Sequence, residues 1–165
     1  MDQFGKGIVV LGGTESDTHV VSLYLAAIML EEYGYSVINR SCQNPVAELM
    51  ADAPGHAPVL AYVLCNQNGH ALEDLHALRD YKPAGIPVVL GGHYTLGCNN
   101  KQGQQNQLRA VGIDHFVETL EELLPLLDRL AETFDVSARM ADAMNDTSRL
   151  AAAGLFRGNV TSEAL

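Results

Sequence analysis

The chain has 165 residues, 47% of them hydrophobic, enough for one domain with a proper core and too few for two comfortable ones. Lys and Arg number 10 against 20 Asp and Glu, and the formal charge of −10 repels phosphate backbones and anionic lipid surfaces, so neither nucleic acid nor membrane is an expected partner. The start, Met1-Asp2-Gln3-Phe4-Gly5-Lys6, lacks the regions of a signal peptide and no apolar stretch is long enough to span a bilayer, which predicts a cytoplasmic location.

Ile8-Val9-Val10-Leu11 is a continuous apolar run ended by Gly12-Gly13, the pattern of a strand buried on both faces in a parallel sheet. From about Thr18 to Glu32, Val20, Val21, Leu23, Tyr24, Ala27, Ile28 and Leu30 recur at helical spacing, and Gly34 supplies a stop. Ser36-Val37-Ile38-Asn39 reads as a strand, Pro45 to Ala53 as a short helix, and Pro58 to Leu64 as a strongly apolar strand. A helix over about Ala71 to Asp80, a strand at Ile86-Pro87-Val88-Val89-Leu90 and a turn at Gly91-Gly92 follow. A polar helix near Gln102 to Val111, a short strand at His115-Phe116-Val117 and a helix from about Leu120 to Leu130 close the series. Five strands alternating with five helices predict an α/β domain: a flavodoxin-like, doubly wound, five-stranded parallel sheet of order 2-1-3-4-5. We expect this domain over residues 1–130. A C-terminal helical extension and tail should occupy 131–165, with Met140, Ala143, Met144 and Leu150 on a short amphipathic helix and Gly158 to Leu165 loose.

The most informative residues are Asp17-Thr18-His19-Val20-Val21-Ser22, which set a histidine at the first strand-to-helix turn with an aspartate two positions before it. Such a carboxylate can accept the ring proton that the imidazole does not need for ligation, fixing its tautomer and raising its basicity toward a metal. The simpler alternative is that Asp17 or Thr18 caps the helix and satisfies orphan backbone donors. In a doubly wound sheet, ligands sit beyond the carboxyl ends of the strands at the switch point, here between the first and third strands. Three segments converge on that rim: Ser16 to His19, Val63-Leu64-Cys65, and Gly91-Gly92-His93-Tyr94-Thr95-Leu96-Gly97. Cys42, Cys65 and Cys98 are an odd, widely spaced set, which argues against a disulfide framework or a structural zinc. Cys65 has no basic group beside it in sequence and reads as a small buried hydrophobe.

This constellation resembles the cobalamin-binding domain family, and within it the small subunit of glutamate mutase (methylaspartate mutase). The family pattern is D-x-H-x-x-G, then S-x-L about forty residues on and G-G about twenty-five further, spacings that suit one strand edge visited three times. Here Asp17-x-His19, with Ser16 ahead of it, is the first element and Gly91-Gly92 the last, and the likeness runs from about Gly7 through Leu130, including Leu11-Gly12 and Ala110-Val111-Gly112-Ile113-Asp114. Two positions depart from the pattern. Ser22 stands for the glycine that ends the first motif, and Val63-Leu64-Cys65 for Ser-x-Leu, which removes a hydroxyl worth about 0.5–1.5 kcal/mol as a neutral hydrogen bond to the displaced base. The expectation is weaker or differently arranged binding.

The resemblance implies a base-off adenosylcobalamin: its nucleotide tail enters a slot between sheet and helix, His19 takes the base's place on cobalt, and Asp17 orients His19. Gly91 and Gly92 would let the tail approach the backbone closely, although an ordinary tight turn explains the pair equally well. Ser16, Thr18, Val20, Ser22, Val63, Leu64, Cys65, His93, Tyr94, Thr95, Leu96 and Gly97 are the further expected cofactor contacts, and His70 is placed near the corrin; His56, His76 and His115 read as surface or structural residues. The implied activity is a radical carbon-skeleton rearrangement of an amino acid, with a separate large, barrel-type subunit holding the substrate, since no carboxylate clamp is visible in this chain. The alternative is a cobalamin-responsive regulator or light sensor using the same pocket. A methyl-transferring corrinoid protein is disfavoured by the missing preceding helical domain, and a receiver domain by Leu64-Cys65-Asn66, which lacks a phosphoacceptor aspartate.

Overall fold

A computed structural model describes residues 5–51 and 58–134. The strands are β1 (Ile8–Gly13), β2 (Ser36–Asn39), β3 (Val59–Cys65), β4 (Val88–Gly91) and β5 (His115–Val117), all parallel, in the order β2-β1-β3-β4-β5. This is the flavodoxin-like topology expected from the sequence. All six residues of β1 are buried, as its uninterrupted apolar run requires, whereas the edge strands β2 and β5 are short and mostly half-buried.

The helices are α1 (Val20–Glu32), α2 (Val46–Leu49), α3 (Ala71–Asp74), α4 (Leu78–Tyr81), α5 (Lys101–Val111) and α6, over 120–134. The expected helix over Ala71 to Asp80 is thus two short pieces. The break has a local cause: the His76 ring Nδ1 lies 2.7 Å from Glu73 O, the carbonyl that Ala77 N–H would need to continue the helix. The expected helix over Pro45 to Ala53 stops at Leu49, and Arg40 donates to the freed carbonyls of Glu48 and Ala51. β4 begins at Val88, two residues later than expected, and α6 runs past Leu130.

Alternation along the strands divides the core in two. Val10, Tyr62, Leu64, Val88 and Leu90 join Leu49, Leu75, Leu78 and Leu108 under α2 to α5. On the opposite face Val9, Leu11, Ala61, Val63 and Val89 are covered by buried residues of α1, Leu23, Ala26, Ala27 and Leu30, and of α6, Leu123, Leu126 and Leu127. A C-terminal motif ends α1, with Gly34 at φ +91° and Tyr35 N–H donating to Leu30 O at 3.0 Å. The other side of α1 carries Val21, Tyr24, Leu25 and Ile28, each more than half exposed and spaced as one helical stripe. Thr119 Oγ1 accepts from Glu122 N–H at the start of α6, and Asp128 ties that helix to Lys6 (2.8 Å) and to the Tyr35 hydroxyl (2.6 Å). The described residues from Gly5 to Ala131 form one compact unit; Met140, Ala143, Met144, Leu150 and the tail from Gly158 lie outside the described residues, as does His56.

Candidate functional site

The carboxyl edge of the sheet is a row of small residues: Gly13 pairs with Cys65, Cys65 with Gly91, and Gly91 with Val117. Between this row and helices α1 and α6 lies a cavity of about 180 Å³, walled by Leu11, Leu23, Val63 and Leu123 and reaching Ser22, Cys65, Gly91 and Gly92.

The β1–α1 turn that carries His19 adjoins the cavity through Ser22, a lining residue whose hydroxyl donates to His19 O. Asp17 is 1% exposed, and its Oδ1 accepts from His19 N–H at 3.1 Å and lies 2.6 Å from His19 Nδ1. Its Oδ2 accepts from Gln67 N–H at 3.1 Å. A carboxylate can only accept, so the bond to the ring requires the proton on Nδ1, and in the neutral ring this tautomer leaves the Nε2 lone pair free on a side chain that is 56% exposed. Asp17 therefore orients the imidazole and holds a backbone donor of the turn, but it does not cap the helix, as the simpler alternative required. Helix α1 itself begins after His19 with no side-chain cap.

A polar lattice ties this turn to the β3–α3 loop. Ser16 N–H and Oγ–H donate to Asp74 Oδ2 (3.1 and 2.7 Å), Asn68 Nδ2 donates to Ser16 O and Oγ (both 2.9 Å), and Asn66 Nδ2 donates to Thr14 Oγ1 (2.8 Å). Gln67 extends the lattice to β4, for its Oε1 accepts from His93 N–H at 3.2 Å and lies 2.6 Å from His93 Nδ1. Gly92, at φ +94°, packs so closely that a Cβ there would lie 2.7 Å from Asn66 O. The β2–α2 loop closes the other flank, with Gln43 N–H donating to Asp17 O and two non-glycine residues, Ser41 and Gln43, held at positive φ.

Ser16, Asp17, His19, Ser22, Val63, Leu64, Cys65, Gly91 and Gly92 are thus brought together as the sequence suggested. Ser22 Oγ donates to His19 O at 2.8 Å, so this hydroxyl is engaged with the turn. Burial first, and then the negative charge of Asp17, push the Cys65 thiol up to about 11, consistent with a neutral, packed side chain. Thr18 is exposed and Val20 half-buried beside the turn. Tyr94 departs from its expected place along the cavity: it is 1% exposed in the opposite core, its hydroxyl bonded to Gln105 and its ring 5.2 Å from Phe116. Thr95, Leu96 and Gly97 continue that loop outside the cavity lining, and His70 is exposed ahead of α3. Asn66, Gln67, Asn68 and Asp74 were not singled out from the sequence; the polar run directly after β3 was the signal available.

Among the described residues no three His, Cys, Asp or Glu side chains are grouped to hold an ion. A single exposed imidazole could serve as one ligand to a metal that brings its other ligands with it. Among the described residues no helix is long and apolar enough to cross a membrane.

The fold is shared with a cobalamin-binding protein from Desulfitobacterium hafniense, at a TM-score of 0.55 and 20% identity, covering 75% of this chain and 58% of that one. This places the protein in the flavodoxin-like class to which cobalamin-binding domains belong. By sequence the chain is similar to glutamate mutase sigma subunit 1 of Haloarcula marismortui, 27% identical over 137 residues, which are 81% of this chain and 90% of that protein. Sigma subunit 2 of the same organism is 28% identical over 109 residues, 64% of this chain and 73% of that protein. No family model matches. The resemblance to the small subunit of glutamate mutase is thereby borne out.

Proposed function

We propose that this chain is the cobalamin-binding small subunit of an adenosylcobalamin-dependent carbon-skeleton mutase of the glutamate mutase kind, cytoplasmic, and paired with a large barrel-type subunit that holds the amino acid. The observation that carries the reading is the buried Asp17 fixing a half-exposed His19, on a turn that adjoins an apolar slot through Ser22. The likeness to two sigma subunits supports it.

The residues present fit a base-off corrinoid. His19 Nε2 would hold the cobalt, Leu11, Leu23, Val63 and Leu123 would enclose the tail, and Gly91, the small residue at the wall, leaves backbone approachable. Adenosylcobalamin, when bound, supplies a deoxyadenosyl radical by homolysis of its cobalt–carbon bond. The protein's own task is positional: Asp17 keeps the ring proton on Nδ1, Gln67 N–H holds Asp17, and the lattice around Ser16 and Asp74 fixes the turn. No group on this rim is arranged to clamp a substrate carboxylate, so the amino acid would be held by the partner, whose barrel mouth would face the carboxyl edge of this sheet.

Electron paramagnetic resonance of the cobalt(II) form tests the reading. Hyperfine coupling to a protein nitrogen should change when the chain is grown on isotopically labelled histidine. Coupling to the cofactor's own base instead would overturn it. Cofactor-dependent binding to a transcription factor, with no association with a mutase large subunit, would favour the regulator.

A further inference from the structure

The slot beside His19 is chemically one-sided. Its walls away from the rim are carbon, from Leu11, Leu23, Ala26, Val63 and Leu123. The polar side chains that reach it come from the carboxyl edge, and several are already engaged. At the rim, Ser22 Oγ–H is spent on His19 O, Gln67 Nε2 lies 3.5 Å from Cys65 Sγ while its Oε1 faces His93, the Glu118 carboxylate is held by Lys101 Nζ, and Thr119 Oγ1 accepts from Glu122 N–H and keeps its own O–H for the rim alone. Cys65, the remaining heteroatom on the strand row, keeps its proton well above neutral pH and carries no charge into the slot. Val63, buried in the wall, presents only carbon to the slot.

Resting on the cobalamin reading above, we propose that this slot selects cobamides by their lower base, taking an apolar benzimidazole-type base and disfavouring purines. A purine carries an exocyclic amine or carbonyl and extra ring nitrogens, each hydrogen-bonded to water when free. Among the carbon walls away from the rim such a group loses its water without replacement. One stranded polar group corresponds to a roughly tenfold loss of affinity. The dimethylbenzimidazole base brings methyl groups to the same walls and gains from their burial.

The test is calorimetric titration of the full chain with three corrinoids bearing the same upper ligand: cobalamin, its adenine-based analogue, and cobinamide, which has no nucleotide tail. Cobalamin should bind roughly tenfold or more tighter than the adenine analogue, and also tighter than cobinamide. Equal binding of the two cobamides, both above cobinamide, would overturn the selection while leaving the cobalamin reading in place. Equal binding of cobalamin and cobinamide would show that the slot takes no tail and overturn it as well. Binding of none would sink the cobalamin reading itself. Val63→Thr keeps the shape of the wall and adds a hydroxyl, so it should narrow the ratio between the two cobamides, with Val63→Ser as a smaller substitute should the first not fold. An unchanged ratio in a folded variant would overturn the role given to this wall.

Discussion

Asp17 is the residue on which most of the site depends, because three donors converge on one buried carboxylate. Asp17→Asn keeps the shape but turns one oxygen into a donor, and corrinoid affinity should fall about ten- to a hundredfold by titration, the usual loss when the partner of a metal-bound imidazole is altered. His19→Ala should abolish the labelled-nitrogen coupling outright. Cys65 gives a pH prediction. Its thiol is raised from near 9.0 to about 11 in the fold, so the stability it contributes is complete below about pH 9 and is lost as pH rises toward 11. Chemical denaturation between these limits should show a decline on the order of 2 kcal/mol that Cys65→Ala flattens. Tyr35, raised by burial and by Asp128, adds to the alkaline loss in the same direction. The roles of Asp17 and His19 were legible because they are two residues apart. Gln67 was not, since it reaches Asp17 through a backbone N–H across 50 positions, which no side-chain pattern records. Tyr94 misled because its loop folds back to the opposite core, where Gln104 and Gln105 capture its carbonyl and hydroxyl.

At the level of elements, the strands were readable to within two residues because strands buried on both faces leave continuous apolar runs. Helix ends were less so, being decided by single bonds such as His76 to Glu73 O and Arg40 to Glu48 O. The glycine turn after β4 offers a controlled comparison. Gly92 and Gly97 both sit at positive φ, but a Cβ at Gly92 would press on Asn66 O whereas one at Gly97 would meet nothing within 4 Å. Gly97→Ala should therefore cost only the backbone term, about 1 kcal/mol, and Gly92→Ala clearly more, read from denaturant midpoints. Corrinoid affinity should fall with Gly92→Ala and hold with Gly97→Ala, since only the former lines the slot.

For the whole molecule, the proposed function predicts that the isolated chain shows no glutamate-to-methylaspartate turnover and acquires it only with a large subunit, in keeping with a rim whose described residues include no convergent groups for an amino acid. Adenosylcobalamin touching both proteins should tighten their association, and each protein should in turn raise the affinity of the other for the cofactor, measurable by ultracentrifugation with and without it. The cofactor alone at a hundred times its Kd should stabilise the chain by about 2.7 kcal/mol, visible as a raised Tm. The outer stripe of α1, Val21, Tyr24, Leu25 and Ile28, has a colloidal consequence as well. A formal charge of −10 keeps copies apart in dilute buffer, but near 0.15 M salt the Debye length shrinks to about 8 Å and short-range attraction between apolar patches is no longer opposed. The second virial coefficient from light scattering should thus fall as salt is added and recover in Leu25→Glu, making ionic strength the variable that decides how concentrated a solution of the free chain can be kept.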